Sequence, residues 1–262
     1  MDYSITFPVN TFADSAAALA FVRPFLHIPF ESITSTRAYA DGLEPFDPEE
    51  ALQRLGEKQD TMFRITSETS ETAEDRNSVV FNNRRDEKVA HFMLRFENRS
   101  DVDLDALVRA AGEKGMTFAY AYDFWKAYWQ SVEVINTYQV AKKPYDHLKK
   151  KINPKMPPFL RESIDISDNP GHQQLTFSMK LMAAPEMWFG PGCWEYFDRQ
   201  RVASFPDAQV IEWITPEILH VRLFDAGTPD YEAANILRLQ QQFRQWSRMD
   251  EVEALLQAKL KN

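Results

Sequence analysis

Cysteine, histidine and glycine are all scarce in this chain. Its 262 residues include one cysteine, Cys193, together with five histidines and eight glycines. One cysteine forms neither an internal disulfide nor a zinc site built on several cysteines, and a lone thiol in an apolar stretch suits a reducing compartment. Few glycines argue against folds whose chemistry depends on tight loops of backbone amides. We therefore expect a cytoplasmic protein with no bound metal and no other cofactor.

The sequence signatures of common enzyme sites are also missing. The chain has no glycine-rich phosphate loop, no nucleophile elbow, no His-Glu-x-x-His helix and no dinucleotide fingerprint. Its histidines, at positions 27, 91, 147, 172 and 220, stand far apart from one another. Without a constellation of such residues, we predict no catalytic residues and no enzyme activity.

Long apolar segments and an excess of basic residues are lacking as well. The run from Ala16 to Leu26 is interrupted by Arg23 and Pro24, and residues 1–5 carry an acid where a signal peptide has a basic cluster. These features predict neither export nor a membrane span. The net charge of −9 disfavours nucleic acid as a partner and suits a basic protein.

The basic residues that are present cluster near the middle of the chain. Residues 142–161 hold seven lysines and arginines but only one acid, and they lie between two acidic halves. This basic island is either a solvated linker or a patch for phosphate or an acidic partner. We divide the chain into an N-terminal half (1–140), a turn-rich connection (141–174) and a C-terminal half (175–262), which together could also form one continuous domain.

Hydrophobic periodicity indicates both strands and helices in each half. Alternating apolar residues at Tyr3, Ile5 and Phe7 predict a first strand, whereas Asp47 and Asp103 open amphipathic helices. In the C-terminal half we expect one strand from Gln174 to Met182, strands at Asp207–Trp213 and Leu219–Phe224, and helices that begin at Thr228 and Asp250. The predicted fold class is α+β, with two similar sheet-and-helix layers, mainly antiparallel strands and C-terminal helices.

The stretch Met187–Phe197 holds five aromatic rings, and its Gly-Pro-Gly centre must break any regular element. It is either a hydrophobic corner of the core or an aromatic-lined pocket that includes Trp188 and Trp194. A second polar group lies at the turn Asn169-Pro-Gly171, where Asp165, Asn169 and His172 come close together in sequence. These three residues join Trp188 and Trp194 as the candidate pocket residues. With Asp168 they are either a metal or acid/base site or side chains that hydrogen-bond their own turn.

Four short segments together carry a resemblance to a known family: Asp165–Gly171, Met187–Gly190, Leu219–Phe224 and the Gln-Gln-Phe-Arg at 241–244. They resemble a family of uncharacterised bacterial proteins that is associated with toxin and immunity gene neighbourhoods. The resemblance covers mainly residues 165–244 and assigns no role to any residue. It implies an immunity-type protein of a polymorphic toxin system, which binds a cognate toxin stoichiometrically.

Two alternatives to this function stay open. One is a small-molecule binding protein or an enzyme with its pocket at the aromatic corner, and the other is an accessory or chaperone protein for a toxin. If the partner is a basic toxin, an acidic loop is the natural contact. The loop from Thr66 to Arg76 lacks periodicity, and we predict partner-binding residues within it, namely Glu68, Glu71, Glu74 and Asp75.

Overall fold

A ten-stranded antiparallel sheet runs through both halves of the chain. The computed structural model describes residues 1–68, 77–157 and 161–260. Within these ranges the strands are β1 (Asp2–Pro8), β2 (Ser32–Ser35), β3 (Glu44–Pro45), β4 (Met62–Thr66), β5 (Ser78–Arg84), β6 (Val89–Arg95), β7 (Phe118–Tyr122), β8 (Lys150–Ile152), β9 (Glu162–Ile164), β10 (Gln174–Thr176), β11 (Met179–Leu181), β12 (Glu186–Phe189), β13 (Val210–Thr215) and β14 (Ile218–Arg222). The large sheet has the order β13-β14-β12-β7-β1-β6-β5-β4-β2-β3, and β8–β9 and β10–β11 are separate two-stranded hairpins.

Eight α-helices accompany these strands in the described part of the chain. They are α1 (Ser15–Val22), α2 (Pro48–Glu57), α3 (Leu104–Glu113), α4 (Phe124–Trp129), α5 (Ile135–Val140), α6 (Arg199–Ala203), α7 (Ala234–Ser247) and α8 (Met249–Leu260). The caps predicted at Asp47 and Asp103 are confirmed, because each carboxylate accepts a hydrogen bond from a first-turn backbone N–H. None of the helices in the described ranges combines the length and the hydropathy that a membrane-spanning helix requires. The α+β class with antiparallel strands and C-terminal helices is confirmed.

The two halves of the chain use opposite faces of the sheet. Central strand β7 makes this visible, since Ala119 and Ala121 pack in the core beneath α1, α2 and α3. Phe118 and Tyr120, which point the other way, pack in the core with α7 and α8. Strand β7 of residues 1–140 also pairs with β12 of the C-terminal half. The side of the sheet that carries Ala119 and Ala121 therefore continues onto β12, β14 and β13, beyond the area that α1 and α2 cover.

Two C-terminal elements differ from the sequence prediction. The single strand expected from Gln174 to Met182 is wrong; the segment folds back as the β10–β11 hairpin, with Ser178 in the left-handed region at φ 62°. The helix expected from Thr228 begins only at Ala234. Before it, the carboxylates of Asp225 and Asp230 accept backbone N–H groups two residues ahead, and these turns compete with helix formation.

The aromatic corner is part of the core at its Trp188 end. Trp188 is 2% exposed and Cys193 is fully buried, and burial raises the pKa of that thiol well above its usual value. A Cβ on Gly190 would lie 2.3 Å from the carbonyl oxygen of Met116. Glycine is therefore required for the corner to press its backbone against the loop before β7.

Candidate binding cleft

A cleft of about 350 Å³ opens where helix α3 passes the last strands of the sheet. We call it the α3–β13 cleft. Its lining residues come from α3, from the turn before it and from β12, β13 and β14, and nearly all of them are charged or aromatic: Arg99, Asp105, Arg109, Glu186, Trp188, Glu212, Trp213, Ile214, His220 and Arg222. Four cationic groups, if His220 is protonated, and three carboxylates thus face one space.

The alternation of side chains along β12 and β14 determines which residues form the floor of the cleft. Glu186 and Trp188 are two apart on β12, and His220 and Arg222 are two apart on β14, so all four project from the same face. The register sets Glu186 directly across from Arg222, and Trp188 across from His220. On the next strand, Glu212 lies opposite His220. The floor is therefore built from directly opposed cross-strand pairs.

One side of helix α3 forms the wall. Asp105, Arg109 and Gly112 recur at spacings of four and three residues, which puts them on one helical stripe. A Cβ on Gly112 would lie 2.4 Å from Cδ1 of Ile218, so glycine lets the helix approach β14 closely. Arg109 then spans the cleft and donates from Nη1 to the carbonyl oxygen of Ile214 at 2.8 Å.

His220 is held between two carboxylates. Its Nδ1 lies 3.0 Å from Oε1 of Glu212, and its Nε2 lies 2.9 Å from Oε1 of Glu186. Because a carboxylate only accepts, both ring nitrogens act as donors and the ring is an imidazolium. The ring stacks on Trp188 with 4.9 Å between centroids and 8° between planes, an arrangement that favours a cation over an aromatic face.

The neighbours of this pair outweigh the effect of burial on both pKa values. Burial alone would raise the pKa of Glu186, but the hydrogen bond from His220 and the charges of Arg99 and Arg222 leave it below its usual value. Burial alone would lower the pKa of His220, but the hydrogen bonds to Glu186 and Glu212 leave it above 6.5. Both shifts favour the charged forms, so the environment of the pair stabilises it as an ion pair.

The cleft is not arranged as a metal centre. No group of three or more His, Cys, Asp or Glu side chains in the described residues could hold a metal ion. Glu186 and Glu212 contact opposite nitrogens of the His220 ring, so these three groups do not converge on one point.

Of the five residues predicted for a pocket, Trp188 alone lines this cleft. Asp165 accepts hydrogen bonds from the backbone N–H and the hydroxyl of Ser167, both within its own turn. These bonds, with the ammonium of Lys149, lower the pKa of Asp165 to about 2. Asn169 donates from Nδ2 to the carbonyl oxygen of Gln130 at 3.1 Å. Both side chains therefore have partners within the protein, Asp165 mainly in its own turn and Asn169 outside it.

His172 and Trp194 likewise have structural partners. Nε2 of His172 lies 3.4 Å from Oε2 of Glu253, a carboxylate that also pairs with Arg244 at 2.7 Å. This network ties the turn at 169–172 to helix α8. Trp194 donates from Nε1 to the carbonyl oxygen of Glu217 at 2.8 Å and packs on Trp213, so it supports β13 from outside the cleft lining.

The acidic loop is described only at its start. Glu68 is half-buried, and its backbone N–H donates to Oγ1 of Thr66 at 3.2 Å. Glu71, Glu74 and Asp75 lie outside the described residues. The assignment of these four acids to a partner contact stays a prediction.

The basic island forms several surface ion pairs. Lys143 pairs with Glu232 at 3.1 Å, and Lys151 pairs with Glu133 at 2.8 Å. Lys149 lies 2.7 Å from Asp168. Pairs of this exposed kind contribute little to stability, and they leave less free positive charge on the island than the sequence alone indicates.

The main cleft residues were not predicted from the sequence. The alternation in β14, which sets His220 and Arg222 against the buried Leu219 and Val221, was the available signal. Two charged residues on one strand face ordinarily indicate a solvated surface. What the sequence does not reveal is that Glu186 and Glu212 stand on the neighbouring strands, in register with His220.

Comparison with known proteins returned no relative: no protein-family model, no curated protein and no solved structure matches the chain. The cleft itself is therefore the basis for a functional proposal.

Proposed function

We propose that this protein acts by binding a protein partner in a stoichiometric complex, as an immunity-type protein binds a cognate toxin, and that the α3–β13 cleft carries the central contact. The observation behind this proposal is the composition of the cleft. Arg99, Arg109 and Arg222 surround it, and Trp213, which is 43% exposed, stands at its rim on the edge strand β13. Tryptophan and arginine are the residues that most often dominate the binding energy of protein interfaces.

The chemistry of the floor supports binding rather than turnover. A general base needs a free ring nitrogen or carboxylate within reach of its substrate. Both nitrogens of His220 are engaged by Glu186 and Glu212, and Glu186 is 4% exposed. The network is a rigid, preorganised surface, and preorganisation favours affinity because little conformational freedom is lost on binding.

The toxin part of the proposal depends on charge. The net charge of −9 would attract a basic partner over distances up to the Debye length of about 8 Å at physiological salt. Reversing the charges of Glu68, Glu71, Glu74 and Asp75 should slow association severalfold, and it should leave the fold intact because the sequence pattern predicts a loop there. Association rates measured at two salt concentrations check this. Rates that ignore both salt and the reversals would point to an apolar contact instead.

The decisive experiment uses genes beside the one that encodes this chain. Each neighbouring product is expressed alone and together with this protein, and we expect one to be toxic and to be neutralised. Trp213→Ala should then weaken the purified complex about 10-fold or more. Trp125→Ala, at a tryptophan that is 60% exposed on α4, is the matched control and should leave affinity unchanged. If no neighbour is toxic, or rescue does not need this protein, the toxin-neutralising function is wrong.

The accessory or chaperone alternative predicts a different complex. Such a protein would bind a toxin fragment that lacks the toxic activity, and co-expression would not restore growth. Pull-down with separate toxin fragments distinguishes the two functions.

A small-molecule ligand is the second candidate, and the volume of the cleft favours it. About 350 Å³ lies within the range of ligand pockets, roughly 300–1,000 Å³. Native mass spectrometry of the purified protein, before and after denaturation, tests for a stoichiometric small molecule. Release of one compound from the wild type but not from Trp213→Ala would favour this candidate over a protein partner.

A further inference from the structure

The guanidinium groups around the α3–β13 cleft have few partners within the protein. Nε of Arg222 is buried and has no hydrogen-bond partner among the residues that the structure describes. No hydrogen bond or ion pair joins its guanidinium to another of the described residues, although its cross-strand neighbour is Glu186. A buried donor without a partner is costly, and binding sites tolerate such groups because the ligand completes them.

The other two arginines are also largely unengaged. Nη2 of Arg99 lies 3.8 Å from Oε1 of Glu186, too far for a hydrogen bond, and the side chain is 60% exposed. Arg109 uses one N–H on the carbonyl oxygen of Ile214. Glu186 does not engage these arginines closely, because its Oε1 already accepts a hydrogen bond from Nε2 of His220 in the floor of the cleft. Within the described structure, the three guanidinium groups therefore make only one short hydrogen bond in total, that of Arg109.

We propose that the cleft receives the carboxylate of an acidic side chain from the protein partner, held by Arg222 with Arg99 and Arg109 beside it. This inference rests on the proposed function of the cleft as the partner site. A guanidinium binds a carboxylate through two parallel N–H donors, and Nε is one of the donors that this geometry uses. A partner that is basic overall can still supply one acidic side chain at the centre of the contact.

The other residues of the cleft favour a carboxylate over a phosphate. Asp105, Glu186 and Glu212 line the same space as the four cationic groups, so the net charge of the cleft is about +1, which one carboxylate neutralises and a doubly charged phosphate exceeds. The cleft holds three arginines and the imidazolium of His220 against three carboxylates. It can therefore bind about one further negative charge before its net charge becomes negative.

The test is an NMR titration of the full-length, ¹⁵N-labelled protein, followed through the indole N–H signals of Trp188 and Trp213. The probes are a capped tripeptide with a central glutamate, the same peptide with glutamine, and inorganic phosphate. We expect saturable shifts with the glutamate peptide and none with the glutamine peptide. Arg222→Gln should weaken peptide binding about 10-fold or more, because a charge-assisted bidentate contact is lost.

Two further variants separate charge from geometry. Arg222→Lys keeps the charge but not the fork, so it should also bind the peptide clearly more weakly than the wild type. Arg238→Gln makes the same change in charge as Arg222→Gln at an exposed position on α7, and it should bind as the wild type does. Circular dichroism establishes that each variant is folded.

The possible outcomes are distinct. Absence of saturable shifts with the glutamate peptide overturns the inference, and so does tighter binding of phosphate that depends on Arg222 in the same way. If a partner complex is weakened by Trp213→Ala but not by Arg222→Gln, the cleft is the partner site and the carboxylate assignment is wrong. If the peptide binds through Arg222 but no protein partner exists, the carboxylate site stands and the proposed function fails.

Discussion

Two histidines on the same sheet are almost equally exposed to solvent, and yet their pKa values shift in opposite directions. His91 on β6 is 8% exposed and His220 on β14 is 7% exposed. Burial lowers the pKa of His91 well below 6.5, and the nearby charges of Lys180 and Arg84 lower it further. The pKa of His220 is raised, because hydrogen bonds to two carboxylates outweigh the effect of its burial.

The difference lies in the partners that each strand register supplies. Nε2 of His91 is 2.7 Å from Oγ of Ser4, so the neutral ring and the hydroxyl share one hydrogen bond. Above this pair lies Lys180 of the β10–β11 hairpin, 7% exposed, with Nζ 3.3 Å from the hydroxyl of Tyr122. His220 instead faces carboxylates at the mouth of a cleft. One histidine belongs to a neutral, closed packing layer and the other to a charged surface that a ligand can reach.

The largest effect is expected from removing the ring beneath His220. Trp188→Ala should lower the free energy of unfolding by about 3–5 kcal/mol, because a fully packed aromatic side chain leaves a cavity and His220 loses its stacking surface. Chemical denaturation of the variant and the wild type measures the difference. Trp188→Phe, which keeps a ring, is the control and should cost clearly less. If Trp188→Ala keeps wild-type stability but loses a ligand or partner, the corner is a pocket rather than core.

Lys180 provides a test of the closed packing layer around His91. Burial lowers the pKa of this amine from 10.5 to about 7 in the folded protein. Between these values the unfolded chain binds the extra proton, so this residue makes stability rise with pH. From about pH 7 to pH 9 the increase should be roughly 2–3 kcal/mol, at about 1.4 kcal/mol per pH unit. Denaturation at several pH values should show that increase in the wild type and its loss in Lys180→Met.

The control for this experiment is Lys114→Met, at an exposed position that follows α3. Its stability should follow the wild type across the pH range. Parallel curves for wild type and Lys180→Met would mean that the amine stays charged in the folded protein, and the contrast between the two layers would then be wrong.

Much of the local structure could be predicted from the sequence, because it depends on near neighbours. Strand β1 follows from the alternation of Tyr3, Ile5 and Phe7, and helices α2 and α3 follow from capping carboxylates at Asp47 and Asp103. The late start of α7 was missed, because side chain to backbone bonds in the preceding turns outcompete the cap and proline signal at Thr228.

The cleft could not be predicted in this way, because its residues come from distant parts of the chain. Arg99 and Glu186 approach each other only after β7 has paired with β12, and Glu212 meets His220 only through the register of β13 on β14. Such long-range pairings leave no local pattern. The polar turn at 165–172 could be predicted only in part, since Ser167 satisfies Asp165 within the turn, whereas Asn169 and His172 contact Gln130 and Glu253 far along the chain.

Glu186→Gln tests the charged histidine directly. The variant should lose about 1.5–3 kcal/mol, the range for a hydrogen bond to a charged group. The pKa of Glu186 is lowered on folding, so its contribution is lost as pH falls below 4.5 and through the folded value. The pKa of His220 is raised, so its contribution is lost as pH rises above 6.5 and through the folded value. The gap in stability from the wild type should therefore be widest between pH 4.5 and 6.5.

Glu212→Gln is the matched control for that variant, because Glu212 contacts the other ring nitrogen but its side chain is 62% exposed. Its effect on stability should be the smaller one, since solvent screens the pair. In both variants the NMR titration of His220 should show a lower pKa than in the wild type. A pKa that stays unchanged in Glu186→Gln would mean that the buried carboxylate does not hold the charge on the ring.

The smallest loss of stability is expected from breaking the neutral pair of Ser4 and His91. The pH dependence of this loss differs from that for the charged pair of Glu186 and His220. Ser4→Ala removes the hydroxyl that is hydrogen-bonded to His91, and it should cost about 1 kcal/mol, the net contribution of one neutral hydrogen bond. Because His91 stays neutral in the folded state of both proteins, its titration affects the wild type and the variant equally. The gap between them should then be constant from about pH 6.5 to pH 8, whereas the gap for Glu186→Gln narrows above pH 6.5. Denaturation of both variants in the same buffers makes the comparison. A Ser4→Ala gap that changes with pH across this range would mean that His91 is charged in the folded protein, and neighbours would then not be what distinguishes the two histidines.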